Sequence, residues 1–285
     1  MNRPQPGDDA ATVPAPDRGA GFEAATRHGP VRLRVAGHDA REARGAPPDD
    51  LRAVLLLDGA EPLLAWLEDW IAEPLDPAPW TRSPASAPPC ARMTWRGAGV
   101  DAVVDLPWTL LAACRPTTEL AARLQDALAW EPVEAQLVLA AERLDEAEWQ
   151  ALRHPGAGLL LADSFAPDGG WACALRLAVR GSTLAWPARW QPATRRLAWD
   201  AAAQAAPADA DTFVALARPL AFTPPELLGW QGEPRRACAP GELVLLRAGR
   251  AQPALHGRLM PAGLRATTHV GDGPQAGYFF LSDGT

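Results

Sequence analysis

The chain enters an apolar strand through a Pro/Gly turn at Pro155-Gly156-Ala157-Gly158-Leu159-Leu160-Leu161-Ala162, and strand patterns follow at 171–179 and 183–190. The same order returns at Pro240-Gly241-Glu242-Leu243-Val244-Leu245-Leu246-Arg247, with strand patterns at 253–259 and 264–270. A short apolar run that follows a turn signal is typical of a buried strand. The repeat therefore predicts two small β-rich modules in tandem.

Length and composition leave room for a second region before these modules. The chain has 285 residues, of which 48% are hydrophobic. That length accommodates about two domains of the usual size. All 27 basic residues are arginine, which we interpret as the coding bias of a GC-rich genome and not as selection for phosphate binding.

The amino-terminal half predicts a tail and then a mixed α+β domain. Residues 1–30 are rich in Pro, Asp, Gly and Ala and predict a disordered tail. The domain at 31–154 begins with an alternating strand pattern at 31–36. Helical spacing follows at 49–72, with a break marked by Gly59 and Pro62.

The rest of this domain is predicted to contain a proline-rich segment, a β-hairpin and two helices. Six prolines between 74 and 89 predict a linker or long loop. Strand patterns at 92–95 and 100–106 predict a hairpin that Gly97 and Gly99 would close. Two helices are then expected, one beginning near Thr117 with a stripe that extends to Leu128, and one at 144–153.

The carboxyl-terminal half predicts the two modules and their connector. The first module spans 155–200, an Ala-rich connector covers 200–211, and the second module spans 212–285 with a last strand at 278–281. The expected fold class is therefore α+β: an amino-terminal α/β region followed by two small β-rich modules.

The charge balance argues against two classes of partner. The net charge is −7, so the chain lacks the broad positive field that binds nucleic acid or anionic membranes. The most apolar stretch, at 53–72, is interrupted by four acidic residues, and we predict no direct membrane insertion. No secretory signal is expected at the amino terminus.

The sequence predicts no catalytic, cofactor-binding or metal site. Asp163 and Ser164 follow a strand as in some esterases, but we find no Asp-x-x-His near the carboxyl end to supply the base. The chain lacks lysine, which excludes Schiff-base chemistry on a lysine and the standard P-loop. His256 and His269 could face each other across adjacent strands, although two exposed polar positions explain them as well. The four cysteines have no metal-binding spacing and predict ordinary thiols in a reducing compartment.

Tryptophan is the residue type that most suggests an interaction surface. The chain has twelve, and Trp is enriched at the hot spots of protein interfaces. Filling of the core is the alternative interpretation of the same residues. The predicted interaction residues are Trp171, Trp186, Trp190, Trp230, Leu243 and Leu245.

Four segments of the second half resemble one known family. They are Gly158-Leu159-Leu160-Leu161, the connector and strand at 213–222, the turn and strand at 240–246, and Leu255-His256-Gly257-Arg258-Leu259. Together with Leu106-Pro107-Trp108, they resemble the tandem SPOA (surface presentation of antigens) modules of type III secretion cytosolic-ring proteins and of the related flagellar motor switch proteins. The resemblance covers about residues 100–270. It departs from the family after Leu259, where Arg265-Ala266-Thr267-Thr268 replaces the usual Gly-Val-aliphatic strand.

The resemblance implies a structural role and not an enzyme. It implies a cytoplasmic protein of the sorting platform, peripheral to the inner-membrane secretion apparatus and hence linked to virulence, in which two modules form an intertwined β-unit. Its implied partners are the regulator of the ATPase, a platform linker protein, chaperone–substrate complexes, and copies of its own carboxyl-terminal module. The alternatives are an unrelated adaptor or regulatory β-module protein, or a hydrolase. These alternatives differ in whether the carboxyl half folds as a paired module or forms a pocket lined by acid and base groups.

Overall fold

The computed structural model describes residues 19–37, 49–80, 90–97, 99–117, 127–161, 170–179, 182–205, 211–247, 255–261, 268–270 and 278–283. The chain divides into two units. One contains 1–84, 92–106 and 116–129, and the other contains 85–91, 107–115 and 130–285. Each unit is built around one mostly antiparallel sheet, so the protein is a strand-rich member of the α+β class, as the sequence predicts.

The first unit has a six-stranded sheet in the order β3-β1-β2-β5-β4-β6. In chain order its elements are β1 (Ala20–Ala24), β2 (Val31–Gly37), α1 (Asp49–Gly59), α2 (Glu61–Ile71), β3 (Ala78–Pro79), β4 (Cys90–Gly97), β5 (Val100–Pro107) and β6 (Leu128–Trp130). The predicted helical break and the predicted hairpin are both confirmed: α1 ends at Gly59, and β5 lies next to β4 after Gly99, whose φ of 76° favours glycine.

Alternation along the strands of the first unit separates a core face from a charged face. Val31, Leu33 and Val35 on β2 are buried, as are every second residue of β4 and β5. Helix α2 buries the side chains of Leu63, Leu64, Trp66, Leu67, Trp70 and Ile71. On the charged face, Asp105 accepts a hydrogen bond from Arg92 at 2.6 Å and lies 3.5 Å from Arg34.

The second unit holds a sheet of thirteen strands. In chain order its elements are α3 (Trp108–Ala113), β7 (Val133–Glu142), α4 (Glu146–Leu152), β8 (Ala157–Leu160), β9 (Trp171–Val179), β10 (Ser182–Gln191), β11 (Arg196–Trp199), β12 (Gln204–Ala205), β13 (Thr212–Leu216), β14 (Leu220–Phe222), α5 (Pro224–Leu227), β15 (Arg235–Ala237), β16 (Leu243–Arg247), β17 (Leu255–Pro261), β18 (Thr268–Val270) and β19 (Tyr278–Ser282). The order across the sheet is β15-β11-β10-β9-β7-β13-β16-β17-β19-β8-β18, with β12 on β10 and β14 on β7.

Helix α4 confirms the helix predicted at 144–153, and its cap explains where it begins. The Asp145 carboxylate accepts the Glu148 N–H at 2.8 Å, and Glu148 accepts the Asp145 N–H at 2.8 Å. This reciprocal capping box satisfies two backbone donors at the start of the helix. Trp149 and Leu152 are the buried residues of the helix.

Two expectations about single elements differ from the structure. Residues 20–24, predicted as part of the tail, form β1, because Phe22 and Ala24 bury their side chains while the strand pairs with β2. Leu128, predicted at the end of a helix, lies in β6. Most of that helix, at 118–126, falls outside the described residues, as does most of the predicted tail.

The division into units also differs from the predicted boundary at 154/155. Residues 130–154 belong with the carboxyl-terminal unit, because β7 pairs with both β9 and β13 and lies in the middle of that sheet. Strand β7 was not expected from the sequence. Its Ala, Leu, Glu and Gln residues favour helix by propensity, yet Val133, Ala135, Leu137 and Leu139 alternate with a period of two.

Candidate interaction surfaces

The described residues do not form a metal-binding cluster. Within those ranges, no group of three or more His, Cys, Asp or Glu side chains is placed to hold a metal ion. Asp163 and Ser164 lie outside the described residues. The hypothesis that His256 and His269 face each other on adjacent strands is wrong, because β19 and β8 separate β17 from β18. His256 instead lies 2.6 Å from the carboxylate of Glu242.

Five of the six predicted interaction residues are buried in the single chain. Trp171, Trp186, Trp190, Leu243 and Leu245 each expose 1% of their surface or less. They fill the core, which is the alternative that the sequence left open. The prediction that they form an exposed docking surface is therefore wrong for these five, because a partner cannot reach them in this chain.

Trp230 is the sixth predicted residue and is only partly buried. Its ring packs edge-to-face against Trp130, with 6.1 Å between the ring centres. Its backbone carbonyl accepts a hydrogen bond from Arg115 at 2.9 Å. The contacts of Trp230 are therefore structural, although part of its surface is exposed.

The buried tryptophans hold the segment at 224–240 against the sheet. The Trp190 indole donates to the carbonyl of Cys238 at 3.0 Å, and the Trp199 indole donates to the carbonyl of Leu227 at 2.9 Å. A buried indole N–H that finds an acceptor contributes both packing area and a satisfied hydrogen bond. Together the two bonds fix both ends of the segment that carries α5 and β15.

The strands of the two predicted modules alternate within one sheet. Strand β8 comes from the first module and lies between two strands of the second, antiparallel to β19 and parallel to β18. Leu159 on β8 is the register partner of Phe280 on β19, and both side chains are buried. The remaining strands of the first module, β9 to β11, lie on the far side of β7. The two modules thus do not form separate sheets.

One arginine joins α4 to the second module. The Arg247 side chain on β16 is 8% exposed and lies 2.8 Å from the carboxylate of Glu146. It also lies 3.8 Å from Asp211, and its guanidinium carbon is 5.5 Å from the centre of the Trp149 ring. A charge with this little exposure requires such partners, because its own desolvation is unfavourable.

Helix α1 exposes an apolar patch that was not expected from the sequence. Leu51, Val54 and Leu55 are 50%, 62% and 56% exposed. Their spacing of three and four residues places them on one face of the helix. Clustered exposed apolar side chains of this kind mark protein contacts more often than isolated ones do. The sequence signal was present, since the same residues produced the helical spacing that predicted α1.

The second surface is a cleft of about 500 Å³ at one side of the second unit. It is lined by Thr194, Arg195, Arg196, Arg235, Arg236 and Ala237. These residues come from β15, from the first residue of β11 and from the turn that precedes it. The sequence shows this cluster only as two Arg-Arg pairs, 195–196 and 235–236. We interpreted the abundance of arginine as an effect of genome composition.

The fold defines the chain as a strand-rich α+β protein with two mostly antiparallel sheets. No helix in the described part of the chain combines the length and apolar character needed to cross a lipid bilayer. No family model matches this chain, and comparisons with curated proteins and with solved structures give no match either.

Proposed function

We propose that this protein is a non-enzymatic structural component of the cytosolic sorting platform, or C-ring, of a type III protein secretion system. The observation that carries the proposal is the position of β8, a strand of the first predicted module that is paired on both sides with strands of the second. An intertwined pair of modules is what the resemblance to the SPOA family implies for fold.

The physical basis for an assembly role is the incompleteness of each module. Both strands that pair with β8 belong to the second module, so the first module alone would leave β8 unpaired. Without β8, strands β18 and β19 of the second module would have no strand between them. Small modules that complete each other's sheet remove exposed strand edges and bury apolar side chains that neither could bury alone. The same exchange between chains would join copies of the carboxyl-terminal module into a larger platform.

The exposed patch of α1 supports a docking role for the amino-terminal unit. Leu51, Val54 and Leu55 offer an apolar helix face to a partner, and apolar helix faces commonly pack into grooves of other proteins. Under the proposal, the partners are the regulator of the ATPase, the platform linker protein and chaperone–substrate complexes. The protein would act in the cytoplasm, peripheral to the inner-membrane apparatus.

Protein export in the source bacterium tests the proposal directly. We expect deletion of the gene to abolish type III export into the culture medium, as measured by immunoblotting of secreted substrates, while those substrates accumulate in the cells. The wild-type gene supplied in trans should restore export. A double Val54→Glu, Leu55→Glu variant should fail to restore it, because charges on the α1 patch oppose docking.

A matched variant on the same helix controls for expression and folding. Asp58→Asn changes an exposed polar residue of α1 and should restore export fully. Circular dichroism of each purified variant should match that of the wild type, since exposed substitutions usually alter stability by no more than about 0.5 kcal/mol. Export that continues at the wild-type level in the deletion strain would contradict the proposal.

A further inference from the structure

The strand β15 forms an open edge of the second sheet. It pairs with β11 on one side, and no described strand lies beyond it on the other. Two backbone hydrogen bonds show which residue pairs of β11 and β15 are hydrogen-bonded. The Cys238 N–H donates to the carbonyl of Arg195 at 2.8 Å, and the Trp199 N–H donates to the carbonyl of Pro234 at 3.0 Å. Hydrogen-bonded pairs alternate with non-bonded pairs in antiparallel sheets. The backbone groups of Arg236 therefore point toward β11, and those of Arg235 and Ala237 point outward.

The open edge is held in a strand conformation before any partner binds. The carbonyl of Cys238 accepts the buried Trp190 indole at 3.0 Å, while its N–H bonds the turn before β11. On the opposite face from Arg235, Arg236 donates to the carbonyl of Ala221 at 2.7 Å and lies 4.7 Å above the Phe222 ring. A prearranged strand loses little conformational freedom when another strand adds to it.

The arginines that line the cleft differ in the contacts that they make within the chain. Arg236 is committed to the contacts just described. Arg235 has an ion pair with Glu233 at 2.8 Å, but the two side chains are 54% and 73% exposed, so this pair contributes little and is readily replaced. Arg195 and Arg196 are exposed, and neither has a carboxylate within ion-pair distance among the described residues.

Two arginines near the edge lie on one face of the sheet, where they could pair with every second side chain of an added strand. Residues two apart on a strand share a face, so Arg235 and Ala237 lie on the same face of β15. Arg196 on β11 is the register partner of Ala237 and therefore belongs to that face. A strand added beyond β15 would place every second side chain beside these guanidinium groups, which bind carboxylates in a planar fork geometry.

We propose that the β15 edge binds an extended acidic segment of another protein. The segment adds to the sheet as a strand through the outward backbone groups of Arg235 and Ala237, and its carboxylates pair with Arg195, Arg196 and Arg235. Backbone pairing supplies affinity in such strand addition, and the side-chain contacts supply selectivity. The inference is independent of the proposed function, because it rests on this edge alone.

Charge complementarity favours an acidic occupant over any other. The whole chain carries a net charge of −7, so its overall charge disfavours an acidic segment. The cleft reverses that sign locally with Arg195, Arg196 and Arg235. A basic or neutral strand would leave Arg195 and Arg196 without counter-charges, and a compact anion would leave the outward backbone groups unpaired.

Fluorescence anisotropy on the full chain tests the proposal with a synthetic probe. The probe is a fluorescent peptide in which glutamate alternates with threonine. We expect saturable binding that weakens as salt is raised, because exposed charges are screened. Arg196→Glu combined with Arg235→Glu should weaken binding by about tenfold or more, since repulsion replaces attraction. Arg196→Glu alone should weaken binding by a smaller factor than the double variant. Arg153→Glu is the charge-matched control for that single variant, because Arg153 lies at the end of α4, beside β8 and β18 at the other end of the sheet. The Arg153→Glu variant should bind the probe within about twofold of the wild type.

Two changes test the backbone pairing without altering charge. Ala237→Pro removes an outward N–H and leaves every β11–β15 hydrogen bond intact, so it should fold and weaken binding by about tenfold. A probe N-methylated at alternate residues loses its own donors and should bind equally poorly to the wild-type chain. This second change needs no alteration of the protein.

Each of the other outcomes overturns the proposal. If charge reversal abolishes binding while N-methylation does not, the cleft binds anions without adding a strand, and tripolyphosphate should then displace the probe. If charge reversal has no effect on binding, the cleft is not the site. If the full chain forms dimers in light scattering that Ala237→Pro dissociates, and the probe does not bind, the occupant of the edge is a second copy.

Discussion

The guanidinium carbon of Arg176 lies 3.8 Å from the centre of the Phe213 ring. Arg176 is on β9 and Phe213 is on β13, and both strands pair with β7 between them. Burial lowers the pKa of the Arg176 guanidinium. Phe213 itself packs with Val138 and Ala215 in a small apolar cluster. The contact therefore reaches across β7 and links strands from the two predicted modules.

Replacing Arg176 by methionine should destabilise the protein by about 1 kcal/mol, because the cation–π contact is lost while apolar volume is kept. Urea unfolding followed by tryptophan fluorescence measures the change. Phe213→Leu completes a double-mutant cycle, and its coupling with Arg176→Met should be about 0.5 kcal/mol or more. Arg218→Met, at an exposed arginine, is the control and should have little effect. A coupling of zero would show that the ring and the guanidinium do not interact.

The buried arginine Arg247 should contribute more than its exposed partner. Arg247→Met removes the ion pair with Glu146 and the hydrogen bond to the carbonyl of Leu144, and we expect a loss of about 2 kcal/mol. Glu146→Gln should have a smaller effect, because Asp211 remains near the guanidinium. Thermal unfolding of the two variants provides the comparison. A larger effect from Glu146→Gln would contradict this assignment of roles.

Cys173 should react slowly with thiol reagents. Burial raises the pKa of its thiol from 9.0 to about 12, and the neighbouring Cys238 adds to that shift. At about pH 8 the thiolate that reacts is therefore scarce. Mass spectrometry after brief iodoacetamide treatment should find Cys173 modified much more slowly in the native protein than in urea. Equal labelling rates of Cys173 under the two conditions would contradict the expectation.

The same thiol predicts how stability changes with pH. The folded state favours the neutral form of Cys173, while the unfolded thiol ionises near 9.0. The unfolded chain therefore binds fewer protons above that value, and stability should fall as the pH rises from about 9 to about 12. A Cys173→Ala variant should show a shallower decline between about pH 8 and pH 10 in urea unfolding. Identical slopes for the two proteins would exclude Cys173 as the cause.

The Leu159 and Phe280 pair should couple the two predicted modules during unfolding. Leu159→Ala removes a buried side chain from β8 and should reduce stability by about 2–5 kcal/mol. Because β8 lies within the strands of the second module, Leu159→Ala should accelerate amide hydrogen exchange both in β9, from the first module, and in β16, from the second. Acceleration confined to the strands of one module would contradict this coupling.

The turn before β11 contains a residue in an unfavourable conformation. Arg195 has a φ of 55°, in the left-handed region that glycine adopts at little cost. Arg195→Gly should therefore raise the free energy of unfolding by about 0.5–1 kcal/mol. If the cleft binds acidic segments as inferred, the same variant should also bind the glutamate–threonine probe more weakly. A less stable Arg195→Gly variant would contradict the conformational argument, and Thr194→Gly, outside that region, is its control.

The strands that the sequence predicts well are those with local signals. Strand β9 has the predicted bounds, and β10 is one residue longer than predicted at each end, because Gly, Pro or polar residues interrupt the apolar pattern near their ends. Strand β7 was missed because residues with high helix propensity form it, and only pairing on both sides with β9 and β13 makes a strand favourable there.

The surfaces show why residue type alone does not locate a site. Tryptophan is enriched both in cores and at interfaces, and the sequence holds no signal that separates the two for Trp171 or Trp190. Their burial depends on which strands cover them, which is a long-range property. The arginines of the cleft could not be recognised as a cluster from the sequence. Arg196 and Arg235 are distant in the chain and become neighbours only when β15 pairs with β11.

The sequence by itself determined the α+β class, the breaks between most elements and the absence of a strong positive charge, because composition, periodicity and turn residues act locally. Only the tertiary structure decided that β8 lies between β18 and β19, that β7 is central, and that β15 is an open edge lined with arginine. Strand pairing joins residues far apart in the chain, and its free energy comes from burial and hydrogen bonds that no local pattern encodes.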